Sequence, residues 1–450
     1  MKTIIIAGFM VHVLSVAHSQ QPPSTNPRVQ RIVSEVSESH LRMLVEKLAS
    51  FGTRHTLSDT SSPTRGIGAA RRWIKSEFGT YAKASGGRMS VEFHESIVPP
   101  SARVPKPSKI VNVVATLRPK GVQPGNDSRL IVIGGHYDSR ASDPLDATSD
   151  APGANDDASG TALVLELARI LASHEVEATL VFIAFAGEEQ GLLGATAWAE
   201  MAKQNRLDVE AMFNNDIVGS SIGGDGAVEK GYVRLFSEAY SPLDTGVVFR
   251  MRNNLGLEND GTSRSLARYI SETAEKYVPN FGVRMVYRRD RFLRGGDHSP
   301  FHERGFAAVR FSVARENYDW QHQNVRVENG KEYGDLPKFM DFPYLTNVAR
   351  VNAAAFATLA FAPRAPANVG IVTRELGYDT ELRWEKNKEG DVAGYYVRYR
   401  QTTSPVWQHS VFTADTTIKL PVLKDDFLFG VQAVDREGNT SLVSIPRVVR

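Results

Sequence analysis

The chain has 450 residues, of which 42% are hydrophobic and 23% are charged, and its formal net charge at pH 7 is +2. This composition is typical of a globular protein with a sizeable core, the length suits one large and one small domain, and the small net charge gives no electrostatic argument for nucleic-acid binding. The chain contains no cysteine, which excludes disulfides and a cysteine-linked lipid anchor. Because eukaryotic secreted proteins of this size usually carry disulfides, this absence favours a bacterial export route.

The first 19 residues have the features of a secretory signal peptide. Lys2 supplies a positive start, Ile4 to Val16 form an apolar stretch, and small residues around Ala17 resemble a cleavage site. The apolar stretch is shorter than the roughly 20 residues that span a bilayer, so a membrane anchor is the weaker interpretation. Residues 20–29 are polar and proline-rich, which predicts a disordered leader. We therefore expect a secreted or periplasmic protein without an integral membrane segment.

Residues 30–362 alternate between helical and strand-like stretches. The hydrophobic periodicity predicts one helix from about Ile32 to Ala49 and another from Ile67 to Phe78. Further strands and helices are predicted at 129–135, 159–173, 178–186, 191–204, 210–219, 282–289, 307–313 and 344–361. Strands that are apolar throughout are typical of sheets covered on both faces. The region is therefore predicted to be an α/β domain with a mostly parallel mixed sheet and helices on both faces.

The character of the sequence changes after residue 362. Two prolines follow a helix closely and mark residues 363–368 as a linker. Residues 369–450 contain short strands separated by turn residues, which predicts a small all-β sandwich. The pattern resembles a fibronectin type III domain. That resemblance implies a core that contains Trp384, Tyr396, Leu420 and the strand 427–435.

Acidic and histidine residues stand at the carboxyl ends of several predicted strands. They are His136, Asp138, Glu188, Glu189, Asp216 and His322, with Asp156 in the loop between the strand 129–135 and the next helix. The carboxyl ends of parallel strands meet at one edge of a sheet, where ligands bind. Each residue alone has an ordinary explanation, since Asp156 and Asp157 could simply cap a helix. Together, however, crowded carboxylates repel one another, and a metal ion removes that repulsion.

The types of side chain in this set indicate zinc. Imidazoles mixed with carboxylates suit zinc or a similar ion, whereas calcium and magnesium prefer oxygen ligands alone. The carboxylates outnumber those that one tetrahedral zinc ion requires. Two zinc ions per chain, roughly 3.5–4 Å apart and sharing one aspartate, would use all of them.

Six motifs resemble those of the co-catalytic zinc aminopeptidases, a family that includes secreted bacterial leucyl-type enzymes. The motifs are GGHYDS, PGANDDASGTA, AGEEQGLLGA, NNDIVG, DHSPF and ENYDWQH, and they occur in this order within residues 30–362. The resemblance implies that His136 and Asp216 bind one zinc ion. It also implies that Glu189 and His322 bind the other, and that Asp156 bridges the two.

The resemblance assigns different tasks to the two adjacent glutamates. Because adjacent residues leaving a strand point in different directions, Glu189 can face the metal while Glu188 stays free. Glu188 would then be the general base, which takes a proton from the attacking water and passes it to the leaving amine. Asp138 would not bind zinc itself but would orient the ring of His136.

The stretch 287–301 corresponds to a part of related enzymes that shapes the substrate pocket, although here it lacks a cysteine pair. Arg294, Tyr287 and His298 are the candidate substrate-binding residues in and around it. His298 precedes the strand 307–313, whereas His322 follows it at the carboxyl end. We therefore predict that His322 is the metal ligand and that His298 shapes the pocket wall.

These features favour a secreted aminopeptidase that removes N-terminal residues from peptides. A dipeptidase or carboxypeptidase remains an alternative, because the metal core does not determine which peptide end enters. A glutaminyl cyclase-like acyltransferase would need only one zinc ion, and the complete ligand set argues against it. A non-catalytic binding protein is disfavoured because Glu188 is retained. The preferred side chain, the oligomeric state and the partner of the C-terminal domain are not indicated.

Overall fold

The computed structural model describes residues 21–125, 128–292, 294–374 and 377–449, so the predicted signal peptide lies outside the described residues. The α-helices of this part are α1 (Pro27–Ser34), α2 (Glu38–Ala49), α3 (Gly66–Ala82), α4 (Ser159–Leu171), α5 (Leu193–Gln204), α6 (Gly246–Asn254), α7 (Thr262–Tyr277), α8 (His298–Glu303) and α9 (Phe342–Phe361). The β-strands of the N-terminal part are β1 (Met89–Val98), β2 (Ser108–Leu117), β3 (Leu130–His136), β4 (Thr179–Phe185), β5 (Val209–Asn215), β6 (Tyr232–Phe236), β7 (Gly282–Val286), β8 (Ala308–Ser312), β9 (Arg326–Glu328) and β10 (Lys331–Tyr333). Those of the C-terminal part are β11 (Gly370–Val372), β12 (Thr380–Arg383), β13 (Val392–Gln401), β14 (His409–Thr413), β15 (Thr417–Leu420), β16 (Phe427–Asp435) and β17 (Arg447–Val449).

An eight-stranded mixed sheet forms the centre of the N-terminal domain, in the order β1-β2-β4-β3-β5-β8-β6-β7. The four neighbouring strands β4, β3, β5 and β8 are parallel. Antiparallel pairs join β2 to β4 on one side and β6 to β8 on the other. The predicted mostly parallel mixed sheet is thus confirmed, and its central strands all end at the same edge.

Helices cover both faces of this sheet, as predicted. Successive residues of β3 point to opposite sides, so that Ile131 and Val132 belong to different cores. The larger core includes residues of α4 and α9. The smaller one includes Trp198 of α5 and Phe301 of α8, whose rings stack with centroids 5.3 Å apart. Burial on both faces explains why the central strands are apolar at almost every position.

The N-terminal end of the described chain differs from the prediction. The single helix expected from Ile32 to Ala49 is two helices, because Ser37 caps α2 with its side chain and interrupts the helical run. Residues 27–29, predicted to be disordered, form the first turn of α1. Asn26 caps that helix and donates from its side chain to Asn439 of the C-terminal domain at 3.0 Å. These contacts replace the disorder that the composition suggested.

The C-terminal part is a two-sheet sandwich, as the strand pattern predicted. One sheet has the order β15-β12-β11-β17 and the other the order β14-β13-β16. Trp384, Leu420 and residues of β16 lie in the core between them. The residue of β13 that enters this core is Tyr395, not the predicted Tyr396, because the alternation along the strand turns Tyr396 outward.

Buried charges join the sandwich to the N-terminal domain. Asp260, which precedes α7, contacts Arg400 of β13 at 2.7 Å and Arg268 of α7 at 3.3 Å. All three side chains are almost fully buried. We call this group the interdomain triad. A second pair, Arg398 with Glu272, lies at 3.0 Å beside it.

Within the described ranges, no helix combines the length and apolar character that a bilayer crossing would require.

Candidate metal centre

The central parallel strands bring the predicted site residues to one edge of the sheet. His136 is the last residue of β3, and Glu188 and Glu189 follow β4 by a short turn. Asp216 directly follows β5, and His322 comes from the segment after β8. Their side-chain donor atoms form two groups, His136 with Glu188 and Asp216, and Asp156 with Glu189 and His322. The residues predicted at strand ends, His136, Glu188, Glu189, Asp216 and His322, thus lie at one edge of the sheet, together with Asp156 from the loop before α4.

Asp156 lies between the two histidines. Its Oδ1 is 3.2 Å from Nε2 of His136, and its Oδ2 is 2.9 Å from Nε2 of His322. His322 Nε2 also lies 3.0 Å from Oε1 of Glu189, and His136 Nε2 lies 3.8 Å from Oδ1 of Asp216. Asp156 is thus the residue that connects the two groups.

The backbone around His136 determines which ring nitrogen is available. Its Nδ1 lies 3.1 Å from the backbone carbonyl oxygen of Asp138. Since a carbonyl can only accept, Nδ1 carries a proton, and in the neutral ring the lone pair is therefore on Nε2. That lone pair points towards carboxylate oxygens of Asp156 and Asp216. Without a cation between them, these groups would repel one another.

Asp138 organises the glutamate turn more directly than it orients the histidine. Its carboxylate lies 3.6 Å from Nδ1 of His136, which is beyond hydrogen-bond distance. The same carboxylate accepts from the backbone N–H groups of Glu188 at 3.2 Å and Glu189 at 3.1 Å. It also accepts from the hydroxyl of Thr56 at 3.0 Å. The predicted orientation of His136 is therefore made by the Asp138 backbone, and its side chain positions the two glutamates.

Two further aspartates hold the loop that carries Asp156. Asp335 accepts from the backbone N–H of Asp156 at 2.7 Å and from that of Asn155 at 2.9 Å. Asp157 accepts from the backbone N–H of Gly160 at 2.9 Å, so the helix-capping explanation holds for Asp157 and not for Asp156. Burial raises the pKa of Asp335 to about 7. No motif surrounds Asp335 in the sequence.

Arg310 is a buried cation that the sequence analysis missed. It lies in β8, is fully buried, and contacts Asp216 at 2.9 Å and Asp290 at 2.7 Å. Burial opposes its charge, but the neighbouring carboxylates outweigh burial and raise the pKa of Arg310. Arg310 contacts Asp216 through Oδ1, the same oxygen that faces Nε2 of His136, and so holds this carboxylate in place. An arginine in the middle of an apolar strand was the available signal.

The residues at this edge fit zinc. Among the described residues, the buried atoms His136 Nε2 and Glu189 Oε1 lack a hydrogen-bond partner of suitable geometry. Burial lowers the pKa of His322, but Glu189 and Asp156 outweigh it and raise that pKa to about 10. Unpaired buried donor atoms and a raised histidine pKa both indicate that a positive charge is stabilised at this position. The donor set of two imidazoles and several carboxylates is the one that zinc binds.

Glu188 differs from Glu189 in its surroundings. Its side chain makes no hydrogen bond to another described residue, whereas Glu189 contacts His322. Burial raises the pKa of Glu188 well above its usual range, and the carboxylates of Asp216 and Glu189 raise it further against the opposing effect of His136. A carboxylate with a raised pKa is a better proton acceptor near neutral pH.

A cavity of about 550 Å³ opens beside the two groups. Its lining includes Asp156, Glu188, Glu189, Asp216 and His322 together with Arg103, Arg140, Arg291 and Arg294. Of the three candidate substrate-binding residues, Arg294 lies on this wall. Among the described lining residues, Tyr287 and His298 do not occur. Tyr287 packs under the guanidinium of Arg264, and His298 is buried with Nε2 at 2.7 Å from the backbone oxygen of Arg289.

Asp297, next to His298, is another buried acid near the site. Among the described residues, neither of its carboxylate oxygens has a hydrogen-bond partner. Burial raises the pKa of Asp297 to about 8, and Asp138 and Asp216 raise it against the effect of His136. Asp297 is outside both groups of donor atoms. The DHSPF motif is therefore adjacent to the centre, through its aspartate rather than its histidine.

The sequence of this chain is similar to those of metallopeptidases. Residues 112–329 match the model of Peptidase family M28. A probable zinc metalloprotease of Leptosphaeria maculans is 45% identical over 92% of this chain and 95% of its own length. A probable zinc metalloprotease of Pyrenophora teres is 42% identical over 95% of this chain and 88% of its own. These relatives do not show the predicted bacterial export route.

Solved structures share the fold at lower sequence identity. The LapA aminopeptidase of Legionella pneumophila has a TM-score of 0.53 and 20% identity, covering 76% of this chain and 77% of its own. An aminopeptidase from Aneurinibacillus sp. strain AM-1 has a TM-score of 0.50 and 17% identity, covering 74% of this chain and 96% of its own. At these identities the likeness concerns the fold.

Proposed function

Because the chain belongs to Peptidase family M28 and is a zinc metallopeptidase, we propose that it is an aminopeptidase with two zinc ions and Glu188 as general base. The observation that carries this proposal is the position of Asp156, within 3.2 Å of His136 and 2.9 Å of His322. One carboxylate with an oxygen facing each histidine suits a bridge between two metal ions.

His136 and Asp216 would hold one zinc ion, and Glu189 and His322 the other. Asp156 would serve both. Bound zinc would polarise the peptide carbonyl and lower the pKa of water. The protein's contribution is to keep the donors in place: Asp335 holds the Asp156 loop, Arg310 holds Asp216, and Asp138 holds the turn that carries Glu189.

Glu188 would manage the proton. Its carboxylate lines the cavity and is free of hydrogen bonds to other described side chains. It would accept a proton from the attacking water and then donate it to the amine that leaves when the peptide bond breaks. Positive charge from bound zinc would lower its pKa, whereas burial raises it. The balance favours a group that can both accept and return a proton near neutral pH.

The proposal that hydrolysis removes residues from the amino end of the peptide is supported by the fold neighbours, which are named aminopeptidases. Hydrolysis of leucine p-nitroanilide, with a free amine, compared with its N-acetylated form tests the direction. We expect cleavage of the free form only. Cleavage of acetylated peptides from their carboxyl end would contradict the aminopeptidase assignment and leave the metallopeptidase one intact.

Metal content tests the two-zinc centre. We expect about two zinc ions per chain by elemental analysis, loss of hydrolysis after chelation, and recovery when zinc is added. A fully active preparation with one zinc ion per chain would overturn the two-metal proposal.

We also propose that residues 1–19 direct export and are then removed, and that the C-terminal sandwich is a fibronectin type III-like domain. N-terminal sequencing of protein recovered from culture medium tests the first point. We expect a start near residue 20, and protein in the medium that still begins at Met1 would refute it.

A further inference from the structure

We propose that the cavity recognises a substrate carboxylate through Arg103 and Arg140. This inference rests on the proposed peptidase function and narrows its substrate class. The starting observation is that four arginines line the same cavity as the metal-binding carboxylates. A hydrolase for neutral peptides has no need for this concentration of positive charge.

The four arginines are not equivalent. Arg291 and Arg294 both contact the buried carboxylate of Glu316, at 2.8 and 3.2 Å. Their charges are therefore partly compensated by the protein itself. They form one wall of the cavity.

Arg103 and Arg140 lack such compensation. Arg103 donates to the backbone oxygen of Glu189 at 2.7 Å. Arg140 donates to the backbone oxygens of Ala141 at 3.2 Å and Ser142 at 3.0 Å. Within the described part of the chain, neither guanidinium has a carboxylate partner. Each uses only part of its five N–H donors in these bonds.

These two arginines line the cavity beside the proposed zinc ligands. Arg103 is anchored on Glu189, one of the proposed zinc ligands, and Arg140 follows Asp138 by two residues. Two zinc ions would offset the charges of the four lining carboxylates, which leaves Arg103 and Arg140 as the uncompensated charges of the cavity. Arginine matches a carboxylate with two parallel hydrogen bonds. The site therefore suits a substrate with a carboxylate near the scissile bond.

Such a carboxylate has two sources, an acidic side chain or the C-terminus of a short peptide. Two substrate pairs distinguish them. Glutamate p-nitroanilide against glutamine p-nitroanilide tests the side chain, and the dipeptide Leu-Gln against Leu-Gln amide tests the C-terminus. We expect kcat/KM to favour the carboxylate-bearing member of at least one pair by about tenfold or more, which is typical of charge-assisted hydrogen bonds.

Variants and salt then test the residues. Arg103→Gln and Arg140→Gln should each reduce that preference severalfold. Arg383→Gln, which removes the same charge from an exposed position in the sandwich, should leave it unchanged. In the unmodified protein, raising the salt concentration from 0.05 to 0.5 M should increase KM for the preferred substrate more than for its neutral partner. This measurement does not depend on how a variant folds.

A binding measurement separates this inference from the proposed function. Zinc-loaded Glu188→Gln protein is titrated calorimetrically with Leu-Gln, Leu-Gln amide, N-acetylglutamate and N-acetylglutamine. Tighter binding of a carboxylate ligand than of its amide, reduced in Arg140→Gln, supports the inference even if hydrolysis fails. The inference is overturned if the carboxylate and the amide of both pairs are cleaved and bound equally well. It is also overturned if the preference for the carboxylate is undiminished in both arginine variants.

Discussion

Replacing Glu188 with glutamine is the sharpest test of how the two adjacent glutamates divide their work. Glutamine keeps the size and shape of the side chain but cannot accept the proton. Because the Glu188 side chain makes no hydrogen bond to another described residue, the substitution removes no structural contact. Its backbone N–H still donates to Asp138 at 3.2 Å, so the turn should be retained.

The expected loss follows from this chemistry. Removing a general base slows hydrolysis by roughly 10²–10⁴-fold. This corresponds to about 2.7–5.5 kcal/mol in the activation free energy. The melting temperature and the zinc content should stay as in the unmodified enzyme, since neither depends on proton transfer. The assay is kcat/KM on an aminoacyl anilide, with zinc measured on the same sample.

Glu189→Gln is the matched control, one residue away. Glu189 lies 3.0 Å from His322, so its charge helps to hold a cation. This variant should lose zinc affinity by more than the 10–100-fold typical of residues that only support ligands. However, Glu188 donor atoms also lie close to those of His136 and Asp216. If Glu188→Gln lost one zinc ion while Glu189→Gln kept both, the assignment of the pair would be reversed.

Three further perturbations give distinct expectations. His322→Ala should deplete one zinc ion, whereas His298→Ala should lower stability and leave zinc content unchanged; equal zinc loss in both would refute the choice between these histidines. Arg400→Met should lower the free energy of unfolding by about 3 kcal/mol, near the lower end for breaking a buried ion pair, because Asp260 keeps Arg268; a change below about 1 kcal/mol in denaturant unfolding would contradict this. A chain ending at Ala365 should still cleave small anilides, because the proposed ligands precede it, but with a lower melting temperature; a folded, soluble and inactive truncation would mean that the sandwich helps to build the site.

The sequence indicated which candidate ligands lie together because their positions obey a simple geometric rule. His136 ends an apolar strand, Glu189 and Asp216 follow apolar strands, and parallel strands place such residues at one edge. The same rule separated His322 from His298. These predictions needed no knowledge of side-chain packing, only of strand direction.

Residues that act through packing could not be predicted in this way. Asp335 reaches the Asp156 loop from 179 residues away, and nothing near it in the sequence announces that contact. Arg310 lies inside a strand, where its partners Asp216 and Asp290 become visible only after the sheet forms. The fibronectin resemblance implies Tyr396 in the sandwich core, but Tyr395 occupies it, because the register of β13 depends on its pairing with β14 and β16.

The interdomain triad also imposes an order of events during protein synthesis. Asp260 and Arg268 are made with the peptidase domain, but Arg400 follows Asp260 by 140 residues. At the roughly 5–20 residues per second of translation, this is a delay of about 7–28 s. During that interval the carboxylate of Asp260 contacts Arg268 but not Arg400. The surface that packs against the sandwich in the complete chain is exposed to solvent. A chain that stops before β13 lacks Arg400 and therefore keeps this surface and the carboxylate of Asp260 exposed.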